Sequence, residues 1–339
     1  MRSGRHAILV AIVLAVLLLS LTTAPSAQVI EGAGSRAPGM GGAFVAVATD
    51  SSSTWWNPAG LAAGPFLDLA GYWNGLQAGG DRGPAWRSHL SAFSFATPPA
   101  GVSYYRFRLT DIRPLTTTAT GQGDRQGTGT GVAIRSIPAS QLGVTLAHSL
   151  ISGIHIGTTL KYVRGAAMAA AGDGSADDLL DAGDELEGAD TKGTFDLDIG
   201  VLAVTGPWRL GAVVRNVREA GFGGAVDVNL PRQIRIGGAF DGESARTIPL
   251  TIAVDADVQR YDAPGGERRV IAVGGEHWLG HRRFGVRGGV RFNTVGAEER
   301  AVTGGGSVAV RSGLYVEAHG VYGGVAEERG WGIAARVSF

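Results

Sequence analysis

The feature that most limits what this chain can fold into is a hydrophobic period of two that recurs from residue 66 to the C-terminus. In the last stretch Trp331, Ile333, Ala335, Val337 and Phe339 fall on one parity and Gly332, Ala334, Arg336 and Ser338 on the other. That is the period of a strand with one apolar face. Phe195, Leu197, Ile199 and Val201 alternate with Asp196 and Asp198; Leu250, Ile252, Val254, Ala256 and Val258 with Asp255, Asp257 and Gln259; Phe284, Val286, Val290 and Phe292 with Arg283, Arg287 and Arg291. Strands are predicted near 66–76, 88–97, 101–112, 140–150, 153–166, 194–205, 208–218, 232–242, 249–261, 267–279, 283–294, 300–311, 313–324 and 329–339, fourteen in all.

Alternation also suits a soluble sandwich, so the connections decide the class. Pro98-Pro99-Ala100, Ile151-Ser152 and Gly206-Pro207 are tight, whereas the links near 113–139, 167–193 and 219–231 are long. Short turns on one side, long loops on the other and an even strand count describe a transmembrane antiparallel β-barrel of the bacterial outer membrane. Strands of ten to fourteen residues suit a tilted crossing, which needs about 9 to 11. Trp73, Tyr162, Trp208, Trp278, Trp331 and Phe339 lie near strand ends on the apolar parity, as an interfacial girdle requires. Glycine supplies 55 of 339 residues without a Gly-X-Y period, which excludes collagen and agrees with many tight turns.

The N-terminus predicts three parts. Arg2 and Arg5 precede an apolar run from Ala7 to Leu19 and a small-residue zone ending at Ala27, the layout of a secretory signal over residues 1–27, with cleavage after Ala24 as the alternative. Residues 28–65 are loop-like and rich in glycine, and 66–339 form the barrel.

Within the loop-like part, Gly32-Ala33-Gly34-Ser35-Arg36-Ala37-Pro38-Gly39-Met40-Gly41-Gly42-Ala43, the Asp50-Ser51-Ser52-Ser53-Thr54 patch and Trp56-Asn57-Pro58-Ala59-Gly60-Leu61 resemble the N-terminal region of the FadL-type transporter superfamily, including its PorV/PorQ-like branch. The resemblance implies that this segment folds back into the lumen as an N-terminal hatch. It also implies passive uptake of hydrophobic small molecules such as long-chain fatty acids, or, in a PorV-like role, a scaffold for secretion proteins. The terminal Phe339 resembles the signature by which such barrels are handed to the outer-membrane assembly machinery.

The expected hatch or gate residues are Gly39, Gly41, Gly42, Trp55, Trp56, Asn57, Pro58 and Gly60. The glycines allow close backbone approach and Asn57-Pro58 fixes a turn. A plug that only blocks leakage and a gate that moves with ligand are both compatible with these residues. For an acidic head group, Arg283, Arg287 and Arg291 form a candidate luminal ladder, with pairing to acids across the lumen as the alternative. The acidic run from Asp173 to Asp190 lacks the order of a calcium loop and reads as a solvated surface loop.

Thirty basic against thirty acidic residues give no global field for nucleic acid, and the absence of cysteine excludes disulfides and thiolate chemistry. Enzyme motifs are missing, and neither a cofactor nor a metal site is expected. The expected partners are membrane lipids, lipopolysaccharide and a hydrophobic ligand, with the cell outer membrane as location.

Overall fold

The computed structural model describes residues 32–79, 85–114, 132–188, 190–224, 228–245, 248–324 and 327–339. The expected signal segment 1–27 lies outside the described residues. The strands in chain order are β1 Asp68–Ala78, β2 Ala85–Thr97, β3 Ala100–Pro114, β4 Val132–Ile151, β5 Ile154–Gly172, β6 Lys192–Thr205, β7 Trp208–Arg215, β8 Gly221–Gly224, β9 Val228–Asn229, β10 Gln233–Asp241, β11 Leu250–Asp257, β12 Tyr261–Ala263, β13 Gly266–Arg268, β14 Val270–Leu279, β15 Phe284–Asn293, β16 Arg300–Arg311, β17 Leu314–Gly323 and β18 Glu328–Ser338.

Fourteen of these form one antiparallel cylinder in the order β4-β3-β2-β1-β18-β17-β16-β15-β14-β11-β10-β7-β6-β5, closed by the β4–β5 pair. The seam is the β1–β18 pair, extended by reciprocal backbone hydrogen bonds between Leu67 and Phe339 at 3.1 and 2.9 Å. The fold class expected from the alternation is therefore the one observed. Closure leaves no strand edge unpaired, which a barrel needs where lipid offers no hydrogen bonds. Outward positions carry Leu142, Val144, Leu160, Tyr162, Val302, Trp331 and Ile333, all exposed. Inward positions carry Asp68, Lys161, Asp196, Asp198, Asp255, Glu276, Arg287 and Glu317, all buried. No helix among the described residues is long and apolar enough to cross a membrane.

Several expectations need correction. Trp278 does not join the outer girdle; it lies on the inward parity of β14, buried, with Arg282 4.9 Å above its ring. Strands β4 and β5 run on past the expected ends to Val132 and Gly172. The acidic run is not a solvated loop throughout: Ala176–Asp184 is a helix capped by Ser175, its Leu179 and Leu180 buried against Ile112 and Ile134. Asp177, Asp181 and Asp184 on that helix face Arg87 at 3.5, 2.5 and 3.3 Å.

Two hairpins at the long-loop end were not expected. The β8–β9 hairpin runs parallel to β5 at Ala166 and Ala167, and Phe222 is buried against the inner wall. The β12–β13 hairpin lies where a short link between two strands was expected. Its Gly265 comes close to Trp86 on β2, far around the cylinder from β11 and β14.

Candidate functional site

Residues 32–65 fold inside the cylinder. The expected hatch residues Gly39, Gly41, Gly42, Trp55, Trp56, Asn57, Pro58 and Gly60 are all buried there. The segment consists of helical turns at Arg36–Gly39 and Ser53–Trp56 and a 3₁₀ turn at Pro58–Ala63, joined by bends. The chain reverses at Gly41 and Gly42, whose φ of +70° and +88° lie in the left-handed region that glycine adopts freely. A Cβ at Gly41 would also stand 2.9 Å from the Val290 carbonyl oxygen of β15.

Arg36 joins hatch to wall. Its guanidinium donates to both oxygens of Glu276 on β14, at 3.0 and 2.6 Å, and to Asp50 of the hatch at 2.7 Å. Glu276 lies 3.5 Å from Arg287 on β15, which lies 3.8 Å from Glu317 on β17. Glu317 pairs at 3.0 Å with Arg336 on β18, and Arg336 reaches Asp68 on β1 at 3.4 Å. The other Asp68 oxygen accepts the Ser51 N–H of the hatch at 2.9 Å. This chain of alternating charge thus starts and ends on the hatch and runs along one arc of the cylinder. Burial pushes the Asp50 carboxyl up, but Arg36, Arg336 and Ser52 outweigh burial and hold it below its ordinary value. Burial likewise pulls Arg36 down, and Glu276 and Asp50 raise it well above its usual range.

On the opposite arc the hatch is held by backbone and shape. Asn57 caps the 3₁₀ turn by accepting the Ala59 N–H at 3.2 Å, and its amide donates to Val45 at 2.9 Å and to Val201 of β6 at 3.0 Å. The wall facing it is glycine. A Cβ at Gly157 on β5 would overlap Pro58, one at Gly200 on β6 would overlap Asn57 Oδ1, and one at Gly211 on β7 would stand 2.6 Å from the Val45 oxygen. Asp255 on β11 accepts the N–H groups of Phe44 and Val45 at 2.7 and 2.8 Å.

The tryptophans are clamped. Trp56 Nε1 donates to the Ala33 oxygen at 2.8 Å, and Arg215 lies 4.2 Å over the Trp55 ring, which also packs on Tyr105 at 4.8 Å. Both rings are thereby buried between hatch and wall. The cavity beside them, lined by Gly32, Pro38, Gly42, Trp56, Arg291 and His319, has about 30 Å³, room for one water. At the short-turn end a cavity of about 310 Å³ brings solvent to Arg36, Met40 and Glu276.

The arginine ladder is only partly luminal. Arg283 lies in the β14–β15 turn, exposed, because the strand begins one residue later at Phe284. Arg287 and Arg291 do face inward, but they are engaged with carboxylates, Arg287 as above and Arg291 with Glu328. Among the described residues no group of three or more His, Asp or Glu is arranged to hold a metal ion. The residues that hold the hatch and that sequence reasoning missed are Arg36, Asp50, Glu276 and the inward glycines. Arg36 and Asp50 stood inside the motif, whereas their pairing with a residue 240 positions away had no local signal.

Solved structures share this architecture. The Ralstonia pickettii toluene transporter TbuX is 14% identical with a TM-score of 0.63, over 91% of this chain and 99% of that one. The CymD monoaromatic hydrocarbon channel is 13% identical with a TM-score of 0.62, over 92% and 99%. A Pseudomonas aeruginosa FadL homologue is 10% identical with a TM-score of 0.57, over 93% and 99%. At these identities the likeness is one of fold. No curated protein matches this chain by sequence. The family model described as "F plasmid transfer operon, TraF, protein" matches residues 75–257, more than half of the chain, and the chain belongs to that family.

Proposed function

We propose that this chain is an outer-membrane barrel for passive uptake of small hydrophobic molecules, with the hatch as its gate. The observation that carries the reading is the manner of attachment. The hatch occupies the lumen, so passage requires it to move, and on one arc it hangs from ion pairs beside a cavity of about 310 Å³. The shared fold with a toluene transporter and a monoaromatic hydrocarbon channel supports the same class of cargo. Neutral hydrocarbons suit the lumen better than long-chain fatty acids, because Arg287 and Arg291 already hold carboxylates of the wall.

A lock tests gating. Ser51 of the hatch and Ser94 of β2 meet through their hydroxyls at 2.8 Å, and the chain has no cysteine to interfere. Proteoliposomes carrying Ser51→Cys with Ser94→Cys should take up labelled toluene only after reduction. Equal uptake in the oxidised and reduced states would sink gating, and preference for oleate over toluene would overturn the neutral-cargo reading.

The second reading is a PorV-like scaffold that holds protein partners. Two observations favour it: the cavity beside Trp56 has only about 30 Å³, and the family description refers to a plasmid transfer operon. Co-purification of envelope secretion proteins, together with no uptake by the reduced double-cysteine variant, would select it.

A further inference from the structure

Lateral register puts an unusual pattern on the outer wall of β2 to β5. Phe93, Tyr104, Leu142, Tyr162 and, on β6, Phe195 are direct cross-strand neighbours and are all 42 to 53% exposed. They form one continuous apolar and aromatic row around the cylinder. Two residues further toward the long-loop end, the next outward row reads Ser91, Arg106, Ser140, Arg164. The row beyond that brings His89 beside Arg108. From β2 to β5 the change from aromatic to basic occurs within one step of the pleat, on the side of the long loops.

A groove of about 500 Å³ opens on these rows: Trp73 lies in register with Ser91 and Arg106, Trp331 in register with His89 and Arg108, and Tyr104 borders it one row nearer the short turns. Arg106 and Arg164 sit two strands apart, about 10 Å by the usual strand spacing, with Ser140 between them. Arg164 donates through Nε to Thr191 at 2.9 Å, which leaves its outer nitrogens for another acceptor. Arg108 Nη1 is buried in the groove with no hydrogen-bond partner. Among the described residues the lining contains no carboxylate; Asp184, 3.8 Å from His89, belongs to the Arg87 cluster. The buried, unpaired Arg108 donor costs about 1 to 3 kcal/mol, which an anionic acceptor in the hollow would offset.

We infer that this groove is a binding site for a phosphate-bearing lipid of the outer leaflet, of lipid A type. Its phosphate sits among Arg106, Arg108 and Arg164, and its acyl chains lie along Leu142, Val144 and Leu160 below. A planar guanidinium matches phosphate oxygens in pairs, and the aromatic row holds the glycerol or sugar level of the lipid. A free phosphate ion would use the same cations but not the apolar row. The inference rests on the barrel spanning an outer membrane and is independent of whether the hatch moves.

Native mass spectrometry of the full chain in detergent tests it. Lipid A should be retained, and enzymatically dephosphorylated lipid A should be retained at least about tenfold less. Arg106→Gln with Arg164→Gln should lose lipid A by a similar factor while Arg311→Gln, an exposed arginine on β16, should not. Equal retention of the two lipids, an unaffected double variant or full displacement of lipid A by millimolar inorganic phosphate would each overturn the site. Heat-modifiable gel mobility reports folding of the variant; if the double variant fails that check, the two lipids on the unaltered chain decide alone. Loss of outer-membrane fractionation would instead remove the premise.

Discussion

The hatch is held by two arcs of the same cylinder in two different ways. From β14 through β18 to β1 ion pairs add to the steric seat that Gly274 and Gly289 give Met40: Arg36, itself paired with Asp50, docks on Glu276, and the charge continues through Arg287, Glu317 and Arg336 to Asp68. Across the lumen, β5, β6 and β7 offer glycines on which the hatch backbone rests, with Asn57 as the main polar tie. Ion pairs can be undone by protonation or by exchange of partners and then reformed. A steric fit can only be vacated. On the proposed gating, the hatch lets go first on the charged arc and pivots on the glycine arc.

The largest effect is expected from Glu276→Gln. It leaves Arg36 and Arg287 buried with a carboxylate removed, a change that costs about 3 to 5 kcal/mol when a buried pair loses one member. Hatch docking should weaken by most of that amount, read as faster limited proteolysis within 32–65 and as raised conductance in planar bilayers. Unchanged protease resistance would remove the charged arc from the release step.

Gly200→Ala should act more weakly but without any remedy by salt or pH. The new methyl overlaps Asn57 Oδ1, and overpacking of this kind costs about 1 to 3 kcal/mol. Because the two sites lie four strands apart around the cylinder, the double variant with Glu276→Gln should be additive within about 0.5 kcal/mol if the arcs act independently. A larger coupling would show that release on one arc already loosens the other.

Asn57→Ala removes the donor to the Val45 and Val201 oxygens, and the expected loss is about 1 to 2 kcal/mol in urea unfolding. Its proteolysis rate should rise less than that of Glu276→Gln, with cleavage near 57 rather than near 36.

The smallest effect is expected from mild acid. Asp50 has a carboxyl held below its ordinary 3.8, so its contribution is complete above that value and is lost as pH falls through the lower folded value. Conductance at pH 5 should therefore match that at pH 7, and the hatch should loosen only below about pH 4. Opening near pH 6 would mean that a group other than Asp50 controls the charged arc.

Legibility in the sequence followed the range of the forces involved. Alternation, tight Pro and Gly turns and strand length are local, and they located all fourteen wall strands to within a few residues except at the far ends of β4 and β5. Those ends were missed because Pro138 interrupts β4 and because Ala166 to Ala171 carry too little contrast to alternate. The helix Ala176–Asp184 was missed because its acids dominate the composition. Only its packing against Ile112 and Ile134 and its pairing with Arg87 make a helix of that stretch worthwhile. Arg283 was misplaced by a single residue, since parity continues through a turn in the sequence but not in space.

By itself, then, the sequence determined that the chain is a barrel with alternating faces, and that a glycine-rich segment with the Asn57-Pro58 turn precedes it. Both are consequences of local stereochemistry and of a solvent that is apolar on one side of every strand. Only the tertiary structure decided what that segment touches. Cylinder closure brings Arg36 to Glu276 and Asn57 to Gly200, so the attachment of the hatch is fixed by contacts between residues far apart in sequence. The glycines that looked like turn residues were, on β5, β6 and β7, absences of side chain where another backbone had to fit.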